Sequence, residues 1–309
     1  MDRLEAMSLL VTVADTGSFS AASRRLGMPL PTVSRKIAEL EAHLKTRLLL
    51  RTTRKLTLTE AGVAYLSACK RILDQVNDAE AAASGEYSAP RGELVLAAPI
   101  VLGRLHVIPT VNEFLKRYPE INVRLSLSDK NINLLDEHAD LAVRVGALPD
   151  SGLGAIKVGA VRRVVCGSPD YFNAYGMPKT PADLEKLTCV TFAGLGEGQS
   201  WRFASSGRMQ ERRFRPTCRL NINTAEAAID AALAGIGVTH VLSYQVAKPV
   251  KEGRLKIVLQ SFEPDPMPVT LIHSGQTPLP YKVRSFLDFA TPELRRSLSP
   301  NARPSSKPD

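Results

Sequence analysis

The stretch SFSAASRRLGMPLPTVSRKIAELEAHL, from Ser18 to Leu44, holds two short amphipathic segments separated by a turn. In the first, Phe19, Ala22 and Leu26 share one helical face, and Ser18 stands where its hydroxyl accepts from an orphan N–H of the first turn. Gly27, Met28 and Pro29 stop it. Pro31, with its fixed φ, suits the first turn of a second helix, in which Val33, Ile37, Leu40 and Leu44 recur at three- and four-residue steps. Thr32, Ser34, Arg35 and Lys36 lie on its other face, near the start. A short, polar, cationic helix end of this kind fits a major groove, where it reaches phosphates and base edges.

Charge separates this reading from an ordinary solvated hairpin. Between Arg24 and Lys55 stand nine cations and two anions, an excess of +7 in a chain of 309 residues whose formal charge is +9. Most of the imbalance therefore sits in one small module. Cations in that density neutralise phosphates, giving an affinity that falls steeply with salt. Aromatic platforms for single strands are missing from the stretch, which favours duplex DNA.

Around the two helices the rest of a small domain is legible. Arg3 to Ala14 repeats Leu4, Met7, Leu10, Val11 and Ala14 on one face, a further helix that walls the core. Leu48 to Leu50 and Leu56 to Leu58 read as short strands joined by a basic turn, in which Arg51 and Arg54 are the candidates for phosphate or minor-groove contact. A long helix then runs to about Ser84, entered through a capping box of Thr57 with Glu60. Its seam of Tyr65, Cys69, Ile72, Val76, Ala79 and Ala83, widened by Leu66 and Leu73, calls for a partner helix, either from a second subunit or from its own chain.

The ordered run Phe19-Ser20-Ala21-Ala22, Leu26, Pro31 to Ile37, Leu40-Glu41, Leu44, Arg47 to Arg54 and Leu58 to Gly62 resembles the N-terminal winged helix-turn-helix of LysR-type transcriptional regulators. Pro29, Leu30 and Lys45 depart from the family pattern, which commonly has a capping Ser, a polar base-contacting residue and a helix-ending Gly there. The resemblance implies a DNA-binding domain at 1–58, a dimerisation helix at 59–84 and a set of DNA-contacting residues: Ser20, Pro31, Thr32, Ser34, Arg35, Lys36, Arg51 and Arg54. It further implies double-stranded promoter DNA as partner, a homodimer or homotetramer through the linker helix, and contact with RNA polymerase.

A hinge at 85–92, containing Pro90 and small polar residues, precedes a region where strands and helices alternate, which indicates βαβ units and a mostly parallel sheet. Strands are expected at Glu93–Ala98, Ile121–Ser126, Leu141–Val145, Val161–Cys166, Cys189–Phe192, Arg212–Thr217, Val238–Leu242 and Val269–Ile272. The expected helices are Leu105–Tyr118, Ile132–Glu137, Pro169–Tyr175, Thr224–Ala234 and Tyr281–Leu298, the last kinked or broken by Pro292. With Asp140 to Gly146 and Ala231 to Val238, this order resembles the two-lobed effector-binding domain of the same family, whose fold is that of periplasmic binding proteins. The α/β domain then spans 93–298, with one lobe at 93–160 and 268–298, the other at 161–267, and a disordered tail at 299–309.

Ligands of open α/β sheets sit beyond the carboxyl ends of strands, here between the lobes. The candidates are Ile100 and Val101, which follow the first strand and lead to a helix whose N-terminal N–H groups suit a carboxylate, with Ser126, Ser128, Arg144 and Val145 from one lobe. Phe192 and Thr224 come from the other, with Trp201 and Phe203 as aromatic walls. The expected ligand is a small-molecule effector.

Other classes find little support. No apolar run reaches the roughly eighteen residues of a membrane span, and no secretory pattern opens the chain, so no membrane association and a cytoplasmic location are expected. The five histidines show no ligand spacing, Gly194 to Gly198 lacks the context of a dinucleotide loop, and no phosphate-loop lysine appears. Neither enzyme, cofactor nor metal is expected. Cys69, Cys166, Cys189 and Cys218 form no metal set or bridge framework, which implies reduced thiols, and their spacing leaves open whether Cys189 and Cys218 meet.

Overall fold

The computed structural model describes residues 2–51, 56–84, 89–129, 139–148, 152–192, 200–205, 208–273, 275 and 279–299. The chain divides into two compact units, Met1–Ala89 and Pro90–Asp309.

In the first unit α1 (Arg3–Thr16), α2 (Phe19–Leu26) and α3 (Leu30–Leu44) enclose a core of Leu9, Leu10, Val13, Ala22, Val33, Ile37 and Leu40, all fully buried. Asp2 caps α1 by accepting from Leu4 N, and Ser18 caps α2 by accepting from Ala21 N. Strands β1 (Leu49–Arg51) and β2 (Leu56–Leu58) pair antiparallel, with Leu50 opposite Thr57. Helix α4 (Glu60–Ser84) follows. Its entry differs from the expected capping box: Thr57 lies in β2, and Thr59 is the residue whose hydroxyl accepts from Gly62 N, at 2.9 Å. That hydroxyl also donates to the Arg47 carbonyl, which ties the helix start to the segment between α3 and β1.

The second unit contains two five-stranded sheets. One, in the order β4-β3-β5-β14-β6, comprises β3 (Gly92–Ala98), β4 (Ile121–Leu127), β5 (Leu141–Val145), β6 (Gly154–Val161) and β14 (Met267–His273). β3 runs parallel to β4 and β5, and β14 returns antiparallel between β5 and β6. Between β3 and β4 the chain is helical from Ile100, as α5 (Ile100–Leu102), a π-helical turn (Gly103–Val107) and α6 (Ile108–Arg117). The expected start at Leu105 is thus five residues late. Pro99 takes the N-cap position, and the π turn shifts apolar positions before it out of phase with those after it.

The other sheet, in the order β11-β8-β12-β7-β13, comprises β7 (Arg163–Gly167), β8 (Cys189–Phe192), β11 (Cys218–Ile222), β12 (Val238–Leu242) and β13 (Lys256–Val258). Helices α7 (Pro169–Tyr175), α8 (Ala225–Leu233) and α9 (Ser243–Lys251) belong to this lobe, as does an antiparallel hairpin, β9 (Trp201–Ser205) with β10 (Arg208–Phe214). Two expected strands are redrawn. The stretch Val161–Cys166 contains the end of β6 and most of β7, and Arg212–Thr217 contains the end of β10 and the turn before β11.

The last helix, α10 (Tyr281–Leu298), continues through Pro292 without the expected break. Beyond that proline, Leu294 and Leu298 are buried in the core of the first lobe, and their packing holds the segment helical. The expected helix Ile132–Glu137, the glycine run Gly194–Gly198 and the tail beyond Ser299 lie outside the described residues, as do residues 85–88 of the hinge. Among the described residues no helix is long and apolar enough to cross a membrane.

Candidate functional site

The first unit presents α3 through a tight turn. Gly27 closes α2 at φ +63°, and its successor Met28 donates to the Ser23 carbonyl while accepting from the Ser23 hydroxyl at 2.6 Å. Helix α3 opens with Pro31 in its first turn and buries Val33, Ile37 and Leu40, so its opposite face looks outward. Ser20, Pro31 and Arg35 are exposed, and Thr32 and Ser34 half-buried. Arg35 pairs with Glu39 at 2.6 Å one turn on, an exposed contact of small net worth that a phosphate can displace. Lys36 is differently placed from the other cations: its ammonium binds Glu5 and holds α3 to α1.

Glu41 is a structural member that sequence reasoning missed. Its Oε1 accepts from both Leu48 N at 2.7 Å and Leu49 N at 3.0 Å, which fixes the wing strand against α3. The signal was a carboxylate near the end of a helix that the chain immediately doubles back on. Arg51 belongs to β1, and Arg54 lies outside the described residues.

The seam of α4 divides. Tyr65, Leu66 and Cys69 pack on the core of their own unit, and burial pushes the Cys69 thiol up to about 11. Further along, Ile72 is exposed and Val76 half-buried within the single chain. The own-chain alternative therefore holds for the first part of the seam.

In the second unit the lobes meet around two chain crossings, one between β6 and β7 and the other before β14. Arg162 and Glu263 lock these together: Arg162 Nη1 donates to both Glu263 oxygens, at 3.0 and 2.9 Å, with the carboxylate almost fully buried. The Arg162 carbonyl accepts from Ser243 N at the start of α9, and Ser243 Oγ in turn accepts from Arg162 N. A second bridge joins the lobes at Arg104 Nη2 and Glu226 Oε1, 2.5 Å apart. Beside it the His106 ring meets Tyr244 edge-on, with centroids 5.7 Å apart. Burial lowers the His106 pKa, and burial first and Asp129 second raise that of Tyr244.

The eight effector candidates do not gather at one point. Ile100 opens α5, but its N–H already donates to Asp129 Oδ1 at 3.0 Å, so the first amide expected to meet a ligand carboxylate holds the chain's own. Ser128, whose N–H donates to the Ala98 carbonyl, sits beside Ile100 at the carboxyl ends of β3 and β4. Val101 is 3% exposed, which removes it from any open wall, and Val145 is half-buried against the same core. Ser126 is exposed on β4 opposite Ala97, and Arg144 lies in β5 opposite Thr270. Phe192 packs against the α8 side of its sheet. Thr224 caps α8, accepting from Ala227 N at 3.4 Å. Trp201 and Phe203 are core rather than wall: both are buried, with ring centroids 5.2 and 5.7 Å from that of His240. Burial, helped by the Arg163 charge, holds the His240 pKa well below the usual imidazole value. Among the described residues no cluster of three or more acidic, histidine or cysteine side chains is arranged to hold a metal ion.

Comparison with known proteins gives two family matches. The family described as bacterial regulatory helix-turn-helix protein, lysR family, matches residues 4–63, and the LysR substrate binding domain matches residues 88–295. Similar proteins include an HTH-type transcriptional regulator of Xanthomonas campestris, 37% identical over 93% of this chain and 84% of its own length. The HTH-type transcriptional activator AaeR of Escherichia coli is 31% identical, covering 94% of each chain. Among solved structures, the LysR-type regulator CrgA of Neisseria meningitidis is similar at 30% identity and a TM-score of 0.60, over 94% of this chain and 98% of that one.

Proposed function

This chain belongs to the LysR family of bacterial helix-turn-helix regulators, and on that premise we propose which of its residues read DNA and which sense the effector. It is a transcriptional regulator with a DNA-binding domain and an effector-binding domain. The family acts on promoter DNA and answers to small molecules.

The reading head is the outward face of α3. Pro31, Thr32, Ser34 and Arg35 enter the major groove, Ser20 reaches the backbone, and Arg51 and Arg54 of the wing contact phosphates or the adjacent minor groove. Lys36 contributes charge while braced on Glu5. The observation that carries this is the orientation of α3: Val33, Ile37 and Leu40 are fully buried, which turns the intervening polar residues to solvent. Two subunits, or four, pair through the outer part of α4 and present reading heads to successive grooves. The protein works in the cytoplasm and engages RNA polymerase at its promoters.

The effector binds between the lobes, near Ile100 and Ser128 on one side and the start of α8 on the other, where the Arg104–Glu226 bridge spans the two. Binding there shifts the populations of lobe arrangements, a tenfold preference being worth about 1.4 kcal/mol. The test is a quantitative footprint on the chain's own promoter region. Arg35→Ala is expected to weaken or relax recognition while dimerisation persists, and an unchanged footprint rejects the assignment of α3.

A further inference from the structure

The charge of the second unit is concentrated in one place. Residues 90–309 carry a formal +7, and +5 of it falls between Arg202 and Arg219, where six arginines stand with one acid, Glu211, and no lysine. This stretch forms the hairpin of β9 with β10, the turn that leaves it, and the start of β11, the outermost strand of its sheet. In the hairpin Trp201 stands opposite Phe214 and Phe203 opposite Arg212, and both Trp201 and Phe203 are buried. The alternate position, where Arg213 stands opposite Arg202, therefore lies on the other face. In β11, Cys218 opposes Cys189 and Leu220 opposes Val190, which leaves Arg219 as the extra residue of a bulge. Arg213, Arg215 and Arg219 are exposed, and among the described residues none of the three meets an acid.

Like charges opposite one another in a sheet are destabilising, and an edge strand is blunted well enough by a bulge and a charge, especially a lysine. Six arginines exceed that need. The planar guanidinium fork matches the oxygens of a phosphate two at a time. We propose that the β9–β10 hairpin and the β11 bulge form a second contact surface for duplex DNA, in which Arg213, Arg215 and Arg219 bind backbone phosphates outside the sequence read by α3. Such contacts add affinity and carry no sequence information.

Two considerations favour the duplex over an acidic protein. DNA offers an unbroken line of charge to several guanidinium groups at once. The head is joined covalently to the second unit, so DNA held by one meets the other at a raised effective concentration, where a contact too weak to act alone adds to the total. The rival occupant is the stretch from Asp74 to Glu86 of a second copy, which has four acids and no cation.

The test uses the full-length protein and two DNA fragments over a range of salt: the footprinted site alone, and the same site lengthened at each end by about two helical turns of arbitrary duplex. Wild type should bind the longer fragment roughly tenfold tighter, with a log–log salt slope steeper by about 0.9 for each added phosphate. Arg213→Gln, Arg215→Gln and Arg219→Gln together should bind the short fragment as wild type does and gain nothing on the long one. Arg219→Gln alone should lose part of the gain. Binding of the short fragment reports the head, so a failure of α3 and a failure of this surface are told apart. A wild-type affinity and slope independent of length overturn the proposal, as does a triple variant, folded by its tryptophan transition, that keeps the full gain. A triple variant whose oligomer mass changes without DNA assigns the surface to Asp74–Glu86 of a second copy and rejects the duplex contact. The wild-type length series stands by itself, so a variant that fails to fold does not rescue the proposal.

Discussion

Replacing Gly62 by alanine should unfold the reading head preferentially. Gly62 is buried in the first turn of α4, where a Cβ would stand 2.9 Å from the Leu48 carbonyl carbon and 3.2 Å from its Cα, and closer still to the carbonyl oxygen. These are backbone atoms of the segment that leads into the wing, already fixed by Thr59 N and Glu41 Oε1, so no side chain can swing aside. Helix propensity favours alanine by at most about 1 kcal/mol, and forcing atoms into a packed region costs about 1–3 kcal/mol or more. With backbone as the obstacle the cost falls at the upper end, leaving a net loss of about 2 kcal/mol, roughly thirtyfold in the ratio of folded to unfolded protein. The single tryptophan, Trp201, reports on the second unit, so the head must be followed by helical circular dichroism and by promoter binding. A urea midpoint lowered by about 1 M for the head, with the tryptophan transition unmoved, is the expected result. An alanine variant as stable as wild type and equal in DNA affinity would refute the packing argument.

Three further outcomes follow from particular residues. Lys45 ends α3 at φ +52°, a conformation costing a side chain about 1–2 kcal/mol, so Lys45→Gly should raise thermal stability by under about 1 kcal/mol while weakening DNA binding at low salt. Glu41→Ala strips two backbone N–H groups of their acceptor and should cost about 1–2 kcal/mol, whereas Glu41→Gln, which keeps an acceptor oxygen, should cost less in the same denaturation series. His240 and His106 both have folded-state pKa values below the free imidazole value, so the unfolded chain binds more protons. The stability they support is complete above the unfolded pKa of about 6.5 and is lost as pH falls below it. Denaturation midpoints of the second unit should fall between pH 7 and 5, and His240→Asn should flatten that slope.

The head was the most legible part because its punctuation is local. Gly27 and Pro31 act through their own backbone and Ser18 through a hydroxyl that caps an N–H three residues on, and the apolar period of α3 needed no tertiary knowledge. The second unit hid the elements whose local signals conflict with their context. Strand β10 is mostly charged and polar, β13 has three residues, α9 contains Pro249 and β6 contains two glycines, so none shows a clean apolar period. The candidate effector site was least legible. Asp129 reaches Ile100 across 29 residues, Arg104 meets Glu226 across 122, and Arg162 meets Glu263 across 101, and no spacing rule encodes such meetings. Thr224 and Val101 fell at the carboxyl ends of strands as the topology required. Their side chains were then taken by a cap and by the core.

The most direct test of the account is the mass of the protein bound to its own footprinted promoter fragment, measured at about 0.15 M salt with bulk competitor DNA present. Two or four chains per fragment, held selectively, are predicted from paired reading heads. A single chain on the fragment, or no preference over the competitor, would contradict it.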